Sequence, residues 1–395
     1  MLIISFDAVG DCELNRLMEY PNFSAFAKKA ALYRGVPTLC PSNTYPIHTS
    51  VATGVLPNVH GIISNTKPFP EKHPWWNSDE SDIKVKTIWQ AAFEKGIAVA
   101  AVFWPVTGYS KSVRYNIPEI MPRPGKNPLL TLLKAGSTAL MLKLALRHFR
   151  LLDGIDQPNR DRFATMCMAD ILREKKPGLA LMHLTAFDTL CHKNGRDSKA
   201  LDAAFEALDS NLAILLEAAG EDRDVIILSD HSQRNIHTVI DPNLALAHEM
   251  LLIKGGDFYI CGEDECYYEC CGGTAFFHAG KLDKERVEEI RGKVSQGEGF
   301  RRFLTSEEIR DAGYEHCAFG FSAADGVAYF SLKPTHKADH GYPADMPDYT
   351  VFYMVKGAEC VPGSVVDGGS LLDIAPLVSK RLNLAGVGVM SNSGL

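Results

Sequence analysis

Six acidic and histidine side chains follow the ends of short apolar segments, where they are placed to act together. They are Asp7, Asp188, His192, Asp230, His231 and His340. Asp188 and His192 are four residues apart, a spacing that puts both on one face of a helix. Three carboxylates and three imidazoles at one edge of a sheet would repel or stay unsatisfied without a cation. The pattern therefore predicts a pair of divalent metal ions, each with about three protein ligands.

Thr44 is the candidate nucleophile. It lies two positions before Pro46, in the sequence CPSNTYPIHTSVATG. A hydroxyl at such a predicted helix start lies where free N–H groups and the helix dipole favour an anion. The alternative is that Thr44 only caps the helix, which contributes about 1 kcal/mol. A threonine hydroxyl is a weak nucleophile near neutral pH, so it needs a base or the metal that the Asp and His residues would hold.

The segments that place these side chains alternate between two patterns. Buried parallel strands are predicted at 2–6, 97–103, 179–184, 225–229 and 351–355. Helices are predicted at about 22–31, 84–95, 160–173 and 197–219. This alternation is typical of an α/β fold with a doubly wound, mostly parallel sheet flanked by helices, which binds ligands at the carboxyl ends of its strands.

Two stretches interrupt the alternation and are predicted to be cap insertions. Residues 109–159 contain a Pro-rich loop and an apolar, basic helix near 129–152, which we interpret as packed on the core rather than bound to a membrane surface or partner. Residues 241–328 contain short strands, a cysteine cluster and a charged helix near 283–294. The predicted catalytic core consists of residues 1–108, 160–240 and 329–395.

Composition limits the class of protein. At 395 residues the chain exceeds the size at which one hydrophobic core stops growing, which favours a large domain with insertions. A formal net charge of −7 gives no basic surface for a nucleic-acid polymer. No run of about 18 apolar residues predicts a membrane span, and the first residues lack a secretory signal. A cytoplasmic location is therefore expected.

Ten cysteines in a long chain without a signal peptide are expected to be reduced thiols. The closest group is Cys261, Cys266, Cys270 and Cys271. Their irregular spacing and the acidic residues between them favour ordinary thiols over a metal or redox site.

The order of these motifs resembles the nucleotide pyrophosphatase/phosphodiesterase family of the alkaline phosphatase superfamily. The matching elements are Asp7, the NTYP motif of Thr44 with His48, PNVHGII at 57–63, Asp188 with His192, Asp230-His231, Asp339-His340 and LDIAP at 372–376. The resemblance implies that Asp188, His192 and His340 hold one ion. It implies that Asp7, Asp230 and His231 hold the other, with Thr44 between the two. It also implies that Asn65 holds a non-bridging phosphate oxygen.

The function implied by this resemblance is hydrolysis of phosphodiester or pyrophosphate bonds through a covalent phospho-threonine on Thr44. The expected cofactors are two divalent ions, zinc or alternatively manganese. The expected partner is a small phosphodiester or nucleotide-like substrate. No arginine lies between Arg34 and Arg114, which favours a diester over a monoester dianion. Many relatives carry lysine where this chain has Asn43, and this departure leaves the substrate class open.

Two alternative functions remain at this point. One is a phosphonate hydrolase resembling phosphonoacetate hydrolase, for which Lys67 and Lys72 are the nearby candidates to bind the substrate carboxylate. The other is a catalytically silent scaffold that retains the metal-binding residues. The sulfatase branch of the superfamily is disfavoured because no C-x-P-x-R motif occurs around Cys40.

Overall fold

The computed structural model describes residues 1–67, 76–121, 125–152, 156–249, 253–255, 258–260, 265–331, 336–358 and 360–388. The described strands are β1 Leu2–Phe6, β2 Ala31–Val36, β3 Val99–Val102, β4 Tyr115–Ile117, β5 Leu179–Leu184, β6 Val225–Leu228, β7 Arg234–Asn235, β8 Thr238–Ile240, β9 Ile253–Gly255, β10 Phe258–Ile260, β11 Tyr267–Cys270, β12 Thr274–His278, β13 Phe300–Phe303, β14 Phe319–Ala323, β15 Val327–Tyr329, β16 Ala338–Asp339, β17 Val351–Lys356 and β18 Val365–Asp367.

The described helices are α1 Leu14–Leu17, α2 Pro21–Ala27, α3 Thr44–Thr53, α4 Pro57–His60, α5 Ile88–Glu94, α6 Pro128–Ala135, α7 Thr138–His148, α8 Asn159–Lys175, α9 Ala186–Asn194, α10 Ala200–Ala219, α11 Pro242–His248, α12 Lys284–Ser295, α13 Ser306–Asp311 and α14 Ile374–Leu382. Short 3-10 helices span Asp11–Glu13, Glu80–Asp82, Phe149–Leu152 and Leu371–Asp373. None of these described helices is both long and apolar enough to cross a membrane.

Eight of the described strands form the main sheet, in the order β18-β2-β17-β6-β1-β5-β3-β4. Strand β1 pairs in parallel with both β5 and β6 at the centre of the sheet. Strand β17 pairs antiparallel with β6 and β2, so the predicted parallel direction is wrong for 351–355. The reason is its connection: the chain enters β17 from the carboxyl edge of β6 without the crossover that a parallel neighbour requires.

Helices cover both faces of the main sheet, as the strand pattern predicts. On β1, Leu2, Ile4 and Phe6 point into a hydrophobic core that also contains residues of α2, α8 and α10. Ile3 points to the opposite core, which contains residues of α3, α5 and α14. Alternate residues of a strand face opposite sides, and the sheet is buried on both. The α/β, doubly wound fold class is therefore confirmed.

The segment 109–159 differs from the prediction in one respect. In place of a single helix near 129–152, the chain forms α6 and α7, which are separated at Gly136. A Cβ at Gly136 would lie 2.5 Å from Pro118 Cδ, and Ser137 N–H donates to Asn116 O at 2.8 Å. These tertiary contacts hold the backbone extended and interrupt the helix. Residues of α7 such as Met141 pack on the main core.

The segment 241–328 contains a smaller antiparallel sheet in the order β11-β12-β14-β13, which we call the cap sheet. Its core includes Tyr268, Phe277 and Phe321, with Ile290 of α12.

Strand β4 lies within 109–159 and nevertheless extends the main sheet beside β3. The division of the chain into a core and two insertions stays a prediction.

Candidate active site

The carboxyl ends of the central parallel strands bring the candidate residues together. Asp7 follows β1, and its N–H donates to Leu184 O at the end of β5, at 2.9 Å. Asp230 follows β6 and accepts a hydrogen bond from Ala8 N–H at its Oδ1, at 3.1 Å. Because β5, β1 and β6 are adjacent and parallel, the side chains that follow them meet at one edge of the sheet.

Helix α9 carries Asp188 and His192 to the same edge. Asp161 of α8, itself buried, accepts a hydrogen bond from Ala186 N–H at 2.8 Å and so fixes the first turn of α9. Asp188 Oδ1 lies 3.2 Å from His192 Nε2, as expected for residues one helical turn apart.

The first group of ligand atoms belongs to Asp7, Asp230 and His231, which lie within 4.8 Å of one another. His231 Nε2 is 3.4 Å from Asp7 Oδ1 and 3.3 Å from Asp230 Oδ2. Among the described residues, neither of these two carboxylate oxygens has a hydrogen-bond partner, although both are buried. Such oxygens are costly to bury unless a cation binds them.

A second, overlapping set of ligand atoms continues from the first. Asp188, His231 and His340 form one group within 4.8 Å, and His192, Asp339 and His340 form another. The rings of His231 and His340 stack with centroids 4.1 Å apart. The structure thus places all the acidic and histidine residues singled out in the sequence in one continuous cluster.

In each of the three imidazoles of this cluster, Nδ1 lies next to a backbone carbonyl oxygen. His192 Nδ1–H donates to Ala338 O at 2.8 Å and His340 Nδ1–H donates to Ser42 O at 3.0 Å. His231 Nδ1 lies 3.2 Å from Ser232 O. A histidine whose Nδ1–H is bound to a backbone carbonyl presents the Nε2 lone pair, which is the usual arrangement of metal-binding histidines.

Burial shifts the protonation of the cluster. It raises the pKa of Asp7 well above its usual range, with the charge of Asp188 adding to the effect. It raises the pKa of Asp230 to about 6. Burial also lowers the pKa of His231 and of His340 to about 4. In His192 burial is outweighed by the charges of Asp188 and Asp339, which raise its pKa to about 10. Imidazoles and buried acidic side chains in this number are a donor set that fits divalent zinc or manganese.

Thr44 is the first residue of α3, and its side chain faces this cluster. Its Oγ1 lies 3.3 Å from His231 Nε2. The N-cap residue of α3 is Asn43, so Thr44 does not occupy the capping position. His48 Nδ1–H donates to Thr44 O at 2.8 Å, and His48 Nε2 lies 2.9 Å from Ser5 Oγ. His48 therefore ties the start of α3 to β1.

Asn65 lies beside the start of α3. Its Oδ1 accepts a hydrogen bond from Tyr45 N–H at 2.9 Å, so the amide NH₂ is the group of this side chain that can donate. Asn77 holds the loop of Asn65 by donating from Nδ2 to Ser64 O at 2.8 Å. Tyr45 is fully buried and packs edge to face on Trp76, so its ring supports the core.

The sequence interpretation missed His183 as a member of the site, and it named Asp339 beside His340 without giving it a role. His183 Nε2 lies 3.2 Å from Asp7 Oδ2, and its ring lies 4.4 Å from that of His48. Asp339 Oδ2 accepts a hydrogen bond from His336 Nδ1–H at 2.7 Å. A polar residue in the otherwise apolar strand β5 was the available signal for His183.

Of the cysteine cluster, Cys266 and Cys271 are buried and Cys270 is partly buried, whereas Cys261 lies outside the described residues. None of these three described cysteines belongs to a group of candidate metal ligands. The preference for ordinary thiols stays a prediction for the cluster as a whole.

Gly341→Ala is expected to lower the free energy of unfolding by at least about 3 kcal/mol. The residue has φ +87°, and a Cβ there would lie 1.6 Å from Cys271 O, so the loop of His340 must move. Gly35→Ala is the control: its φ is +63° with no atom within 4 Å of the added Cβ. Strain alone predicts a loss of about 1 kcal/mol for the control. Equal losses in urea denaturation would contradict the steric explanation.

Comparison with known proteins identifies relatives of the chain. The family model "Type I phosphodiesterase / nucleotide pyrophosphatase" matches residues 1–313. Venom phosphodiesterase 2 of Crotalus adamanteus is 23% identical over 214 residues, which is 50% of this chain and 22% of that protein. Bis(5'-adenosyl)-triphosphatase ENPP4 of Pongo abelii is 30% identical over 119 residues, 27% of this chain and 25% of that protein. The chain thus spans about a quarter or less of the length of these curated relatives.

Solved structures share the fold. Human ectonucleotide pyrophosphatase/phosphodiesterase 5 superposes with a TM-score of 0.70 at 16% identity, covering 100% of this chain and 97% of that chain. An inactive variant of the murine protein, in complex with AMP, gives a TM-score of 0.68 at 16% identity, with 98% and 96% covered. Since the family model covers most of the sequence and the folds agree, the chain belongs to the type I phosphodiesterase/nucleotide pyrophosphatase family.

Proposed function

We propose that the chain is a metal-dependent hydrolase that cleaves phosphodiester or pyrophosphate bonds with Thr44 as its nucleophile. The observation that carries the proposal is the position of Thr44 Oγ1, 3.3 Å from His231 Nε2 at the start of a buried helix. Family membership supports the reaction class. The AMP complex of the murine neighbour supports a nucleotide-like substrate.

Two divalent ions are proposed as cofactors, zinc in the first place and manganese as the alternative. Asp188, His192 and His340 would hold one. Asp7, Asp230 and His231 would hold the other, with Thr44 as a further ligand. When bound, such ions lower the pKa of the hydroxyl and offset negative charge on the phosphate oxygens.

The remaining chemistry rests on the chain's own residues. Thr44 Oγ forms a bond to phosphorus as the bond between phosphorus and the leaving oxygen breaks, which gives a covalent phospho-threonine. Water then cleaves this ester and restores the Thr44 hydroxyl. The NH₂ group of Asn65 donates a hydrogen bond to a non-bridging phosphate oxygen. His48 keeps Thr44 in place by binding its carbonyl oxygen at 2.8 Å.

The two alternative functions receive less support. A phosphonate hydrolase would need a cation for the substrate carboxylate, but Lys67 already pairs with Asp82 at 2.8 Å. The other candidate, Lys72, lies outside the described residues. A catalytically silent scaffold would not require Thr44 Oγ1 to face the ligand cluster, yet it lies in contact with His231.

We further propose a cytoplasmic location for the chain. The described cysteines are free thiols, which is typical of a reducing compartment. Fractionation of cells that express the protein tests this: recovery of the chain outside the cytoplasm would contradict it.

The diester is expected to be the better substrate. We predict a kcat/KM for bis(p-nitrophenyl) phosphate at least about tenfold above that for p-nitrophenyl phosphate, or roughly 1.4 kcal/mol. A neutral amide such as Asn65 suits a singly charged diester, whereas a dianion is usually bound by arginine. Steady-state kinetics with both esters measures the ratio. A preference for the monoester would contradict the proposal and indicate an unrecognised cation at the site.

Asn65→Ala is expected to lower kcat for the diester by about tenfold, since its hydrogen bond strengthens as charge develops on the phosphate oxygen. The control is Asn22→Ala in α2, where Asn22 Nδ2 donates to Asp209 Oδ2 at 2.7 Å on the opposite face of the sheet. The control should retain the wild-type kcat. Equal kcat values for the two variants would remove Asn65 from the mechanism.

A further inference from the structure

The cap sheet contains a second cluster of potential ligands, distinct from the active site. Its members are Glu269 on β11, His278 at the end of β12, and His316 with Cys317 in the turn before β14. The donor atoms of His278, His316 and Cys317 all lie within 4.8 Å of one another. We call these four residues the cap cluster.

The distances from His278 to Cys317 and to Glu269 match those between two ligands of one ion. His278 Nε2 lies 3.4 Å from Cys317 Sγ and 3.5 Å from Glu269 Oε2. Zinc binds sulfur at about 2.3 Å and nitrogen or oxygen at about 2.0–2.2 Å, in tetrahedral geometry. Two such ligands of one zinc ion are therefore roughly 3.5 Å apart.

Glu269 supplies an independent observation. Its Oε1 accepts a hydrogen bond from Tyr314 Oη at 2.7 Å. Its Oε2 is buried and has no hydrogen-bond partner among the described residues. A thiol–imidazole hydrogen bond between Cys317 and His278 would account for their contact, but it would leave this oxygen unsatisfied. A cation held by His278, His316 and Cys317, with Glu269 Oε2 next to His278, would satisfy this oxygen as well.

The surrounding rings hold the ligands in place. Tyr314 is fully buried and stacks on Phe276 with ring centroids 3.8 Å apart, which fixes the hydroxyl that binds Glu269. The ring of Tyr267 stacks on His278 at 4.1 Å. Residues that contact metal ligands in this way hold them in the orientation that binds the ion.

We propose that Glu269, His278, His316 and Cys317 bind one structural zinc ion. Four protein ligands would leave no open position, which is the character of a structural rather than a catalytic zinc site. The ion would join β11, β12 and the turn before β14. Just beyond β11, Gly273 N–H donates to His340 O at 2.8 Å, so the ion would brace the cap sheet next to the loop of His340.

Cobalt substitution tests the proposal by its thiolate. The full chain is purified, stripped of metal and titrated with Co²⁺ alone. We expect a near-ultraviolet thiolate-to-cobalt charge-transfer band whose final absorbance corresponds to one thiolate-bound cobalt ion per chain. The active-site donors contain no sulfur, so the band reports only a cysteine-containing site. It should vanish in Cys317→Ser and persist in Cys360→Ser, a matched cysteine variant outside the cap sheet.

Two outcomes would overturn the proposal: no such band in the wild type, or a band of full amplitude in Cys317→Ser. The presence or absence of the band in the wild type tests the proposal even if a variant fails to fold. Glu269→Gln preserves the shape of the side chain and is expected to weaken Co²⁺ binding at this site at least about tenfold. Unchanged affinity would exclude Glu269 as a ligand. Asp188→Asn should keep the band, which separates failure here from failure of the proposed active site.

Discussion

Thr44→Ala is expected to fold and bind metal, and to hydrolyse bis(p-nitrophenyl) phosphate at least about 10³-fold more slowly than the wild type. A methyl group cannot form the bond to phosphorus that the mechanism requires. Because the N-cap of α3 is Asn43, the free energy of unfolding should change by no more than about 1 kcal/mol. Turnover and urea denaturation of the same preparation give both quantities.

Thr53→Ala provides the matched control for this experiment. Thr53 lies at the other end of α3, is also buried, and donates from Oγ1 to Thr49 O at 2.7 Å. The control should lose about 1 kcal/mol of stability and keep the wild-type turnover. Substantial residual turnover in Thr44→Ala would transfer the role of nucleophile from Thr44 to water.

Removal of divalent ions by a chelator is expected to bring turnover below detection, and zinc or manganese should restore it. The reason is the composition of the site: a buried cluster of acidic side chains and imidazoles cannot offset the charge of a phosphate without cations. Chelator already saturated with zinc is the control, because it leaves the protein's ions in place. Full activity in a preparation with one ion or none would contradict the two-ion proposal.

Metal analysis of Cys317→Ser separates the ions of the active site from the ion of the cap cluster. If the cap cluster binds a structural zinc, the wild type should contain three ions per chain and Cys317→Ser two, both at the active site. His340→Ala should lose metal from the active site and lose turnover, but keep the cobalt–thiolate band. The two sites are thus tested separately in the same set of variants.

Much of the site was predictable from the sequence because each ligand follows a recognisable local element. Asp7 and Asp230 come directly after apolar strands, and Asp188 and His192 have helical spacing. In a doubly wound sheet the carboxyl ends of central strands meet, so such local patterns already predict proximity. The same reasoning predicted the α/β fold, and the family resemblance added Asn65.

Only the tertiary structure decided features that depend on contacts between distant segments. The direction of β17 follows from the path of the preceding loop, and the break between α6 and α7 follows from packing of Gly136 on Pro118. His183 became a neighbour of Asp7 through the pairing of β5 with β1.

The cap cluster is the clearest example of this limit. Glu269, His278 and Cys317 show no ligand spacing along the chain, whereas the conspicuous cysteines at 261–271 drew attention in the sequence. Antiparallel pairing of β12 with β11 and β14 brings the three side chains together. Sequence patterns report periodicity within one element, but a site shared by neighbouring strands and a turn depends on their register, which the packing of the cap sheet determines.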